Sequence, residues 1–321
     1  MKLLLIKISN FYEAMETNKL LQEKLKDLEE KNKISNSQAL YDPENEIIKL
    51  LPNRKHGLPN FGNTCYLNSL LQIFASTPLL ARKVESINSP FCNSLYLLLD
   101  SMFKDNSLKT IRNLTQDFRQ NLMATYSNIE AYNQQDAKEV FNMILSKIEE
   151  DGGNLDLFSI GFHQEFICKT MLKHRSEYHD IQIFLIIPPC HKDSVENYLY
   201  YLGTYYNSTQ KLICSECKRE VNTSIQLKKV DWPDYLILYF PTPPDRITDS
   251  IRINYEIIYE MYGAICYYQD EGSFHYTAFT RDENEWNEYN DEHVETKKID
   301  PHVINLAFYC RKTYSRPIYS R

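Results

Sequence analysis

The sequence predicts an α+β fold, in which helices dominate the first half of the chain and strands the second. Apolar residues with helical spacing occur before residue 150, and segments rich in β-branched and aromatic residues follow. Segregated runs of this kind are typical of α+β proteins rather than of an alternating parallel sheet. With 321 residues, 43% of them hydrophobic and 25% charged, the chain has the composition of an ordinary folded protein.

The first 50 residues are predicted to form a helical extension and a linker. Residues 12–33 are rich in helix formers, and Leu21, Leu25 and Leu28 fall on one helical face. This stripe is shorter than the ~3 heptads of a coiled coil, so a solvated helix is favoured over a partner-binding one. A polar segment follows, and we expect one folded domain over residues 51–321.

Two helices are predicted in this domain. The first begins at or next to Cys65 and stops before Pro78. Its apolar face consists of Leu67, Leu70, Leu71 and Phe74. The second runs from about Gln135 to Glu150 and ends at the Asp-Gly-Gly sequence of residues 151–153. The first helix therefore places Cys65 at or near a helix N-terminus.

Strands are predicted in the second half of the chain, where β-branched and aromatic residues cluster. The segments are residues 181–189, 223–230, 235–241, 255–268, 274–281, 285–290 and 304–312.

The composition argues against several classes of function. With 36 Lys+Arg against 43 Asp+Glu and a net charge of −7, neither a nucleic-acid partner nor a membrane partner is expected. Only 8 residues are glycine, and neither GxGxxG nor the P-loop pattern occurs, which disfavours nucleotide-binding folds.

The 8 cysteines are irregularly spaced, which does not fit a disulfide scaffold, so reduced thiols are expected. The N-terminal apolar run is shorter than the ~7–15 residues of a secretory signal. No later stretch has the ~18 apolar residues of a membrane span. The expected location is the cytoplasm or the nucleus.

Cys65 is the first candidate for chemistry. Two of the few glycines, Gly57 and Gly62, lie just before it. A thiol at a helix N-terminus lies near the positive end of the helix dipole, which favours the thiolate and hence a nucleophile. Taken alone, the residue fits a buried structural cysteine equally well, because that is the commonest fate of a free cysteine.

A nucleophilic cysteine needs a base, and His275 is the candidate. It lies in a strand-like segment between Phe274 and Tyr276, whereas the other histidines lie in polar or charged surroundings. Asn290 and Asp291 follow, and either can accept a hydrogen bond from the second ring nitrogen of an imidazole. A Cys, a His and an Asn or Asp far apart in sequence are typical of papain-like cysteine proteases.

Four segments, in the same order, resemble motifs of the ubiquitin-specific protease family. Residues 57–72 (GLPNFGNTCYLNSLLQ) resemble its Cys box, and residues 259–294, which begin YEMYGAICYY, resemble its His box. Between them, residues 132–141 (YNQQDAKEVF) resemble its QQDA-type motif. Residues 304–312 (INLAFYCRK) resemble its closing strand. Together the segments extend the resemblance over residues 57–312.

The resemblance implies an α+β papain-like cysteine peptidase with a helical thumb, a β-rich palm and reduced fingers at about residues 160–230. Its implied activity is the hydrolysis of isopeptide or peptide bonds at the C-terminal glycine of ubiquitin, through a thioester and with no required cofactor. The implied partners are ubiquitin and ubiquitinated proteins. Two alternatives stay open: a ubiquitin-binding protein without strong catalysis, and a cysteine protease for a ubiquitin-like protein. The oligomeric state is open as well.

The resemblance also assigns roles to single residues by position. It makes Cys65 the nucleophile and His275 the general base. Asn290 matches the third position of the triad, and Asp291 is the acidic residue beside it. Asn60 matches the side chain that donates to the oxyanion, together with the backbone N–H of Cys65.

Two further residues are assigned to the binding of the substrate tail, and two others depart from the family pattern. Asp136, in the QQDA-type motif, matches the residue that meets the basic C-terminal tail of ubiquitin, and Gln134 falls in the same motif. Phe274 stands where the family commonly has glycine, and Tyr267 stands where it often has a second histidine. Phe274 is expected to reshape the channel for the tail.

The sequence contains an incomplete set of ligands for a zinc site. Cys214 and Cys217 form a CxxC pair, and many relatives have two such pairs that hold zinc. The first pair is reduced to Cys168 with Met171, and three ligands do not complete a structural tetrahedron. Nearby residues of ligand type are His174, Cys190 and His191. A vestigial site is therefore expected.

Overall fold

The structure is a computed structural model. It describes residues 56–104, 107–130, 132–191, 195–204, 207–254, 257–270, 273–282 and 285–312. All of these belong to one unit, Glu44–Arg321, while the predicted helical extension at residues 1–50 lies outside the described residues. Within the described ranges, no helix combines the length and apolar character that a membrane crossing requires.

Helices come first along the described chain. They are α1 (Cys65–Ala75), α2 (Pro78–Glu85), α3 (Pro90–Phe103), α4 (Leu108–Thr125) and α5 (Ala137–Glu150). Both helices predicted from periodicity are present, as α1 and α5. The other three were not predicted individually, although their start signals are ordinary ones. The hydroxyl groups of Ser89 and Ser107 cap α3 and α4, and α2 and α3 have proline in their first turn.

Strands dominate the rest of the chain. They are β1 (Ile160–Cys168), β2 (Arg175–Gln182), β3 (Phe184–Ile186), β4 (Asn207–Ile213), β5 (Glu220–Asp231), β6 (Tyr235–Tyr239), β7 (Ser250–Arg252), β8 (Ile258–Asp270), β9 (Ser273–Asp282), β10 (Glu285–Asn290), β11 (His293–Thr296) and β12 (Ile304–Lys312). One helix, α6 (Val195–Thr204), interrupts them. The α+β prediction is therefore confirmed.

The strands form two sheets. The larger has the order β11-β10-β9-β8-β12-β6-β3, and β7 pairs with β8 beside this path. The smaller has the order β2-β1-β5-β4 and is antiparallel throughout. It occupies the segment predicted as fingers.

One predicted strand is divided between the two sheets. The sequence treated residues 181–189 as one strand, but β2 ends at Gln182 and pairs with β1. Residues Phe184–Ile186 form β3, which pairs in parallel with β6 of the larger sheet. An apolar run carries no information about which strand it will pair with, so the pattern alone did not show the break.

The larger sheet is buried on both faces. On β6, Ile237 belongs to an apolar cluster that includes the helices α1 to α5. Its neighbours Leu236 and Leu238 belong to a second cluster on the other face, together with side chains of α6. Burial on both faces explains why this strand reads as a continuous apolar run rather than as an alternating one.

Helix α1 lies against this sheet and is buried along its whole length. Every residue from Cys65 to Ala75 is buried, and the helix packs mainly against β9. Cys65, the first residue of α1, therefore lies where the helices meet the larger sheet at β9.

Candidate active site

Cys65 begins α1. Its side chain is only 2% exposed, and it is a free thiol. Because it is the first residue of the helix, its backbone N–H has no partner within the helix. The position therefore offers a thiol and a free backbone donor at the positive end of the helix dipole.

His275 and Asn290 come from neighbouring strands, β9 and β10. The Nε2 atom of His275 lies 2.7 Å from Oδ1 of Asn290. Of the two residues that the sequence left open as partners, Asn290 is thus the one bonded to the ring. This bond leaves Nδ1 as the ring nitrogen that faces Cys65.

The thiol and the imidazole are electrostatically coupled. The hydrogen bond to Cys65 is the main cause that raises the pKa of His275 to about 9, against an ordinary value of 6.5. Burial opposes this rise, and the hydrogen bond to Asn290 supports it. The surroundings therefore favour the imidazolium form at neutral pH.

Asp291 lies beside the triad and holds the segment before Cys65. Its Oδ2 accepts a hydrogen bond from Nδ2 of Asn60 at 2.8 Å, and its Oδ1 accepts one from Nδ2 of Asn68 at 2.7 Å. Its carbonyl oxygen accepts from the backbone N–H of Leu58, also at 2.8 Å. Through these bonds, Asp291 joins the turn after Asn290 to the loop that carries Asn60. We therefore regard it as a positioning residue.

Gly57 makes this junction possible. A Cβ atom at that position would lie 2.0 Å from the carbonyl oxygen of Asp291 and 2.7 Å from the backbone carbon of Glu292. Both obstacles are backbone atoms, which cannot rotate away. The glycine lets the two segments approach closely enough for the bonds between Asp291 and the loop to form.

The amide of Asn60 is oriented by its own loop. Its Oδ1 accepts hydrogen bonds from the backbone N–H of Gly62 at 2.9 Å and of Thr64 at 3.3 Å. One hydrogen of its Nδ2 is used by Asp291. An amide nitrogen has two hydrogens, and the side chain is exposed, so the second hydrogen is available for a bond to a substrate.

Gln134 lies closer to the nucleophile than the sequence indicated. Its Nε2 donates to the carbonyl oxygen of Phe274 and lies 3.6 Å from Sγ of Cys65. The sequence placed this residue only within a motif for the substrate tail. Its contact with the thiol depends on how the loop before α5 meets β9, and no local pattern encodes that.

Asp136 is the N-cap of α5, because its Oδ1 accepts from the backbone N–H of Glu139 at 3.0 Å. Its side chain is exposed, and its charge acts on nearby tyrosines. Burial raises the pKa of both Tyr239 and Tyr267, and the negative charge of Asp136 adds to the rise. Asp136 thus places a carboxylate beside the aromatic side chains of Tyr239 and Tyr267.

The two departures from the family pattern contact each other. The rings of Phe274 and Tyr267 are stacked, with centroids 5.8 Å apart and an angle of 13° between planes. Phe274 is 43% exposed, which is unusual for a large apolar side chain next to the candidate base. Tyr267 also packs on Tyr276, at 5.0 Å. The exposed ring is therefore part of an aromatic wall, a relation that the sequence did not reveal.

A Cys/His cluster, formed by Cys168, His174, Cys214 and Cys217, lies in the smaller sheet. Its ligand atoms all lie within 4.8 Å of one another. The Sγ atoms of Cys168 and Cys217 are 3.8 Å apart, and Nδ1 of His174 is 3.2 Å from Sγ of Cys217. Three thiolates and one imidazole at such distances suit a tetrahedral metal site. His174 is therefore the fourth side chain of ligand type in the cluster, a position that the sequence left undecided.

The hairpin between β1 and β2 brings His174, rather than the other residues considered, next to the cysteines. The backbone N–H of Cys168 bonds to the carbonyl oxygen of His174, at 3.1 Å, so the turn brings the two residues together. The other ring nitrogen of His174 lies 3.5 Å from a carboxylate oxygen of Glu216. Such an outer carboxylate fixes the ring orientation of a metal-bound histidine. His191, the other histidine considered, stacks on Tyr198 instead.

Known proteins resemble this chain in both sequence and fold. The "Probable ubiquitin carboxyl-terminal hydrolase 16" of Schizosaccharomyces pombe is 24% identical over 314 residues, covering 82% of this chain and 67% of that protein. The "Ubiquitin carboxyl-terminal hydrolase 30" of Homo sapiens is 30% identical over 126 residues, covering 35% of this chain and 24% of that protein.

Solved structures share the fold. The structure of the SAGA Ubp8/Sgf11/Sus1/Sgf73 DUB module bound to ubiquitin aldehyde superimposes with a TM-score of 0.65 at 17% identity, covering 82% of this chain and 70% of that one. A structure of the same module bound to monoubiquitin gives the same TM-score of 0.65 and covers 89% of this chain.

The family itself is shown by the sequence model of "UCH: Ubiquitin carboxyl-terminal hydrolase", which matches residues 56–309. That range contains Cys65, His275 and Asn290, the whole smaller sheet, and the larger sheet up to Tyr309 in its last strand. The chain therefore belongs to the ubiquitin carboxyl-terminal hydrolase family and is a deubiquitinating cysteine protease.

Proposed function

We propose that Cys65 attacks the carbonyl carbon of the C-terminal glycine of ubiquitin, in an isopeptide or peptide bond, and forms a thioester. The observation that carries this assignment is the contact of Cys65 with His275, whose second ring nitrogen is bonded to Asn290. His275 takes the thiol proton and gives a proton to the departing amine. Asn290 fixes the ring so that Nδ1 faces the sulfur. Water then hydrolyses the thioester with His275 as the base.

The negative charge that develops on the substrate oxygen also needs donors. The free second hydrogen of Asn60 and the backbone N–H of Cys65 supply them in our proposal. Asn60 is held in advance by Asp291 and by its own loop, so little reorganisation is needed when the charge forms.

The tail of ubiquitin is proposed to pass between the helices and β9. Asp136 offers a carboxylate to its basic residues, and the stacked pair of Tyr267 and Phe274 forms one wall of the path. Gln134 bonds to the carbonyl of Phe274 beside the thiol, so it lies where the end of the tail would arrive. The fold similarity to solved complexes that contain ubiquitin supports this path.

The activity is expected to fall at alkaline pH. Because the folded-state pKa of His275 is raised from 6.5 to about 9, the imidazolium persists at neutral pH and is lost as the pH rises through about 9. We expect kcat/KM to decline with an apparent pKa of about 9, and the stabilising effect of this proton to be complete below about 6.5 and lost over the same rise. A pH profile with ubiquitin carrying a C-terminal fluorophore measures it. A decline centred near 6.5 would contradict the coupling of His275 to Cys65.

A reactive ubiquitin tests the proposed chemistry. Ubiquitin with a C-terminal electrophile is expected to form a covalent adduct with the protein, and the Cys65→Ser variant is expected to form none. Cys92→Ser is the matched control, since Cys92 is equally buried but lies in α3, away from His275. Mass spectrometry of the adduct identifies the modified cysteine.

The same experiment separates the alternatives. Ubiquitin that binds without forming an adduct would indicate a binding protein without catalysis. An adduct with a ubiquitin-like protein but not with ubiquitin would indicate the other protease. A tryptic fragment modified at a cysteine other than Cys65 would overturn the assignment of the nucleophile.

We further propose that the Cys/His cluster binds zinc. Its donor set, three thiolates and an imidazole, is one that structural zinc sites use, and Glu216 can orient His174. Bound zinc would join the β1–β2 turn to the turn that carries Cys214 and Cys217. The seven cysteines whose side chains the structure describes are free thiols, which supports a reducing location, the cytoplasm or the nucleus.

Metal analysis tests the zinc proposal. We expect about one tightly bound zinc per chain after desalting, and a lower Tm after removal of the metal by a chelator. The His174→Ala variant is expected to hold less zinc, whereas His191→Ala, outside the cluster, keeps the wild-type content. A metal-free protein after purification in zinc-supplemented medium would refute the proposal.

A further inference from the structure

A second group of ligand-type side chains lies on the smaller sheet, apart from both sites described above. It consists of His163 on β1, His179 on β2 and Asp231 at the end of β5. One ligand atom from each lies within 4.8 Å of the others. We call this group the His/Asp cluster.

The sheet register brings these side chains together. His163 is paired with His179 across the β1–β2 ladder. Asp231 is paired with Gly161, which lies two residues before His163 on β1. Residues two apart on a strand lie on the same face. The two imidazoles are stacked, with centroids 4.2 Å apart. His163 Nε2 is also bonded to Oδ2 of Asp231.

Because Gly161 has no side chain, a space remains between His179 and Asp231. A Cβ atom there would lie 3.1 Å from Nε2 of His179 and 3.4 Å from Oδ2 of Asp231. The same point is thus close to a nitrogen lone pair and to a carboxylate oxygen. The chain has only 8 glycines, and Gly161 leaves open the space between these two ligand atoms.

Two members of the cluster, His179 and Asp231, line a cleft. This cleft has a volume of about 640 Å³, and its lining includes Gly161, His179, Asp231 and Trp232. His179 is exposed, and His163 and Asp231 are partly exposed. An ion held by the three side chains would keep further positions open toward the cleft.

We propose that the His/Asp cluster binds a divalent late transition metal such as Zn²⁺. Two imidazoles and one carboxylate are preferred donors for such ions, and three protein ligands leave at least one position for water or for a side chain of a docked protein. This site differs from the Cys/His cluster, because it has no thiolate and is open. We expect its metal to be bound more weakly and to exchange.

The neighbouring contacts are compatible with a bound ion. Lys229 pairs with Oδ1 of Asp231 and leaves Oδ2 for the metal. The ion takes the place of the proton that His163 Nε2 shares with Oδ2, and that proton moves to Nδ1 of the same ring. No oxidation or bond cleavage is involved.

A titration of the zinc-loaded, desalted full chain tests the proposal. We expect calorimetry with Zn²⁺ to show one further, weaker equivalent. His179→Gln and Asp231→Asn are each expected to weaken it by about tenfold or more, since loss of an outer-shell partner alone costs 10–100-fold. His302→Gln is the matched control, because His302 is an exposed histidine outside the cluster whose ring lies beside the carboxylate of Asp245. Its titration should equal that of the wild type.

Co²⁺ distinguishes the two clusters by absorption. Binding at the His/Asp cluster is expected to give weak d–d bands without the intense thiolate-to-cobalt band that the Cys/His cluster would give. Circular dichroism and Tm establish that each variant is folded. The proposal is overturned if the wild type takes up no further equivalent, or if folded His179→Gln and Asp231→Asn bind it as the wild type does. None of these measurements depends on protease activity.

Discussion

Replacement of His275 by glutamine is expected to lower kcat/KM for ubiquitin–fluorophore hydrolysis by roughly 10⁴-fold, because it removes both the base and the acid of the reaction. The partner of Asn290 Oδ1 is also lost. Binding of ubiquitin should change little, since most of its surface lies away from the thiol. Steady-state kinetics together with calorimetric binding of ubiquitin separates the two effects.

The control is His293→Gln. His293 is paired with Asn290 across the β10–β11 turn, and its side chain is 69% exposed, so it is close in sequence but does not bond to the triad. It should retain wild-type kinetics. If His275→Gln kept more than about a hundredth of the activity, it would fall outside the effect expected of a general base, and the assignment of His275 would fail.

Replacement of Asn60 by alanine is expected to lower kcat by about 10² to 10³ with little change in KM, because an oxyanion donor acts mainly in the transition state. The loss corresponds to about 2.7–4 kcal/mol of transition-state stabilisation. Kinetics with the same ubiquitin–fluorophore substrate measures it. A loss confined to KM would instead indicate that Asn60 contacts the bound substrate.

Asn60 also shapes its loop, so a control must separate chemistry from folding. Asn63→Gly serves this purpose, because Asn63 lies in the same loop at a φ of 53°, which glycine adopts without strain. Its activity should remain close to that of the wild type. A Tm measurement shows whether Asn60→Ala has loosened the loop that Asp291 holds. If both variants lose activity to the same extent, the effect belongs to the loop.

Local sequence signals predicted the elements that carry the chemistry. The apolar face after Cys65 and the stop before Pro78 predicted α1, and β-branched and aromatic content predicted β9, β10 and β12. These signals are sufficient because helix and strand periodicity depend on near neighbours. The break between β2 and β3 was missed, because the choice of a pairing partner depends on distant residues.

At the candidate site, residue types were easier to predict than contacts. The sequence left the choice between Asn290 and Asp291 open, and the structure bonds Asn290 to His275 while Asp291 holds the loop at Asn60. It placed Gln134 with the substrate tail, but the side chain lies beside Sγ of Cys65. The catalytic roles themselves stay predictions that the variants above test.

At the Cys/His cluster, too, the sequence showed the residue types but not which of them lie together. Counting thiols suggested a vestigial site, since Met171 stands where a fourth cysteine was sought. The β1–β2 hairpin instead turns His174 toward Cys217, at 3.2 Å. The sequence shows which side chains are of ligand type. How many of them meet at one place depends on how the turns of the smaller sheet fold.

By itself, the sequence determined the α+β class, the family resemblance, and the residues able to act as nucleophile, base and oxyanion donor. The tertiary structure decided which of them touch: His275 with Asn290, Asp291 with Asn60, and the ring of Phe274 with Tyr267. The physical reason is the range of the forces involved. Periodicity and capping act over a few residues. Asp291 and Asn60 are instead 231 residues apart, and the other two contacts join neighbouring strands, so each contact forms only when the fold and the sheet register bring its two side chains together.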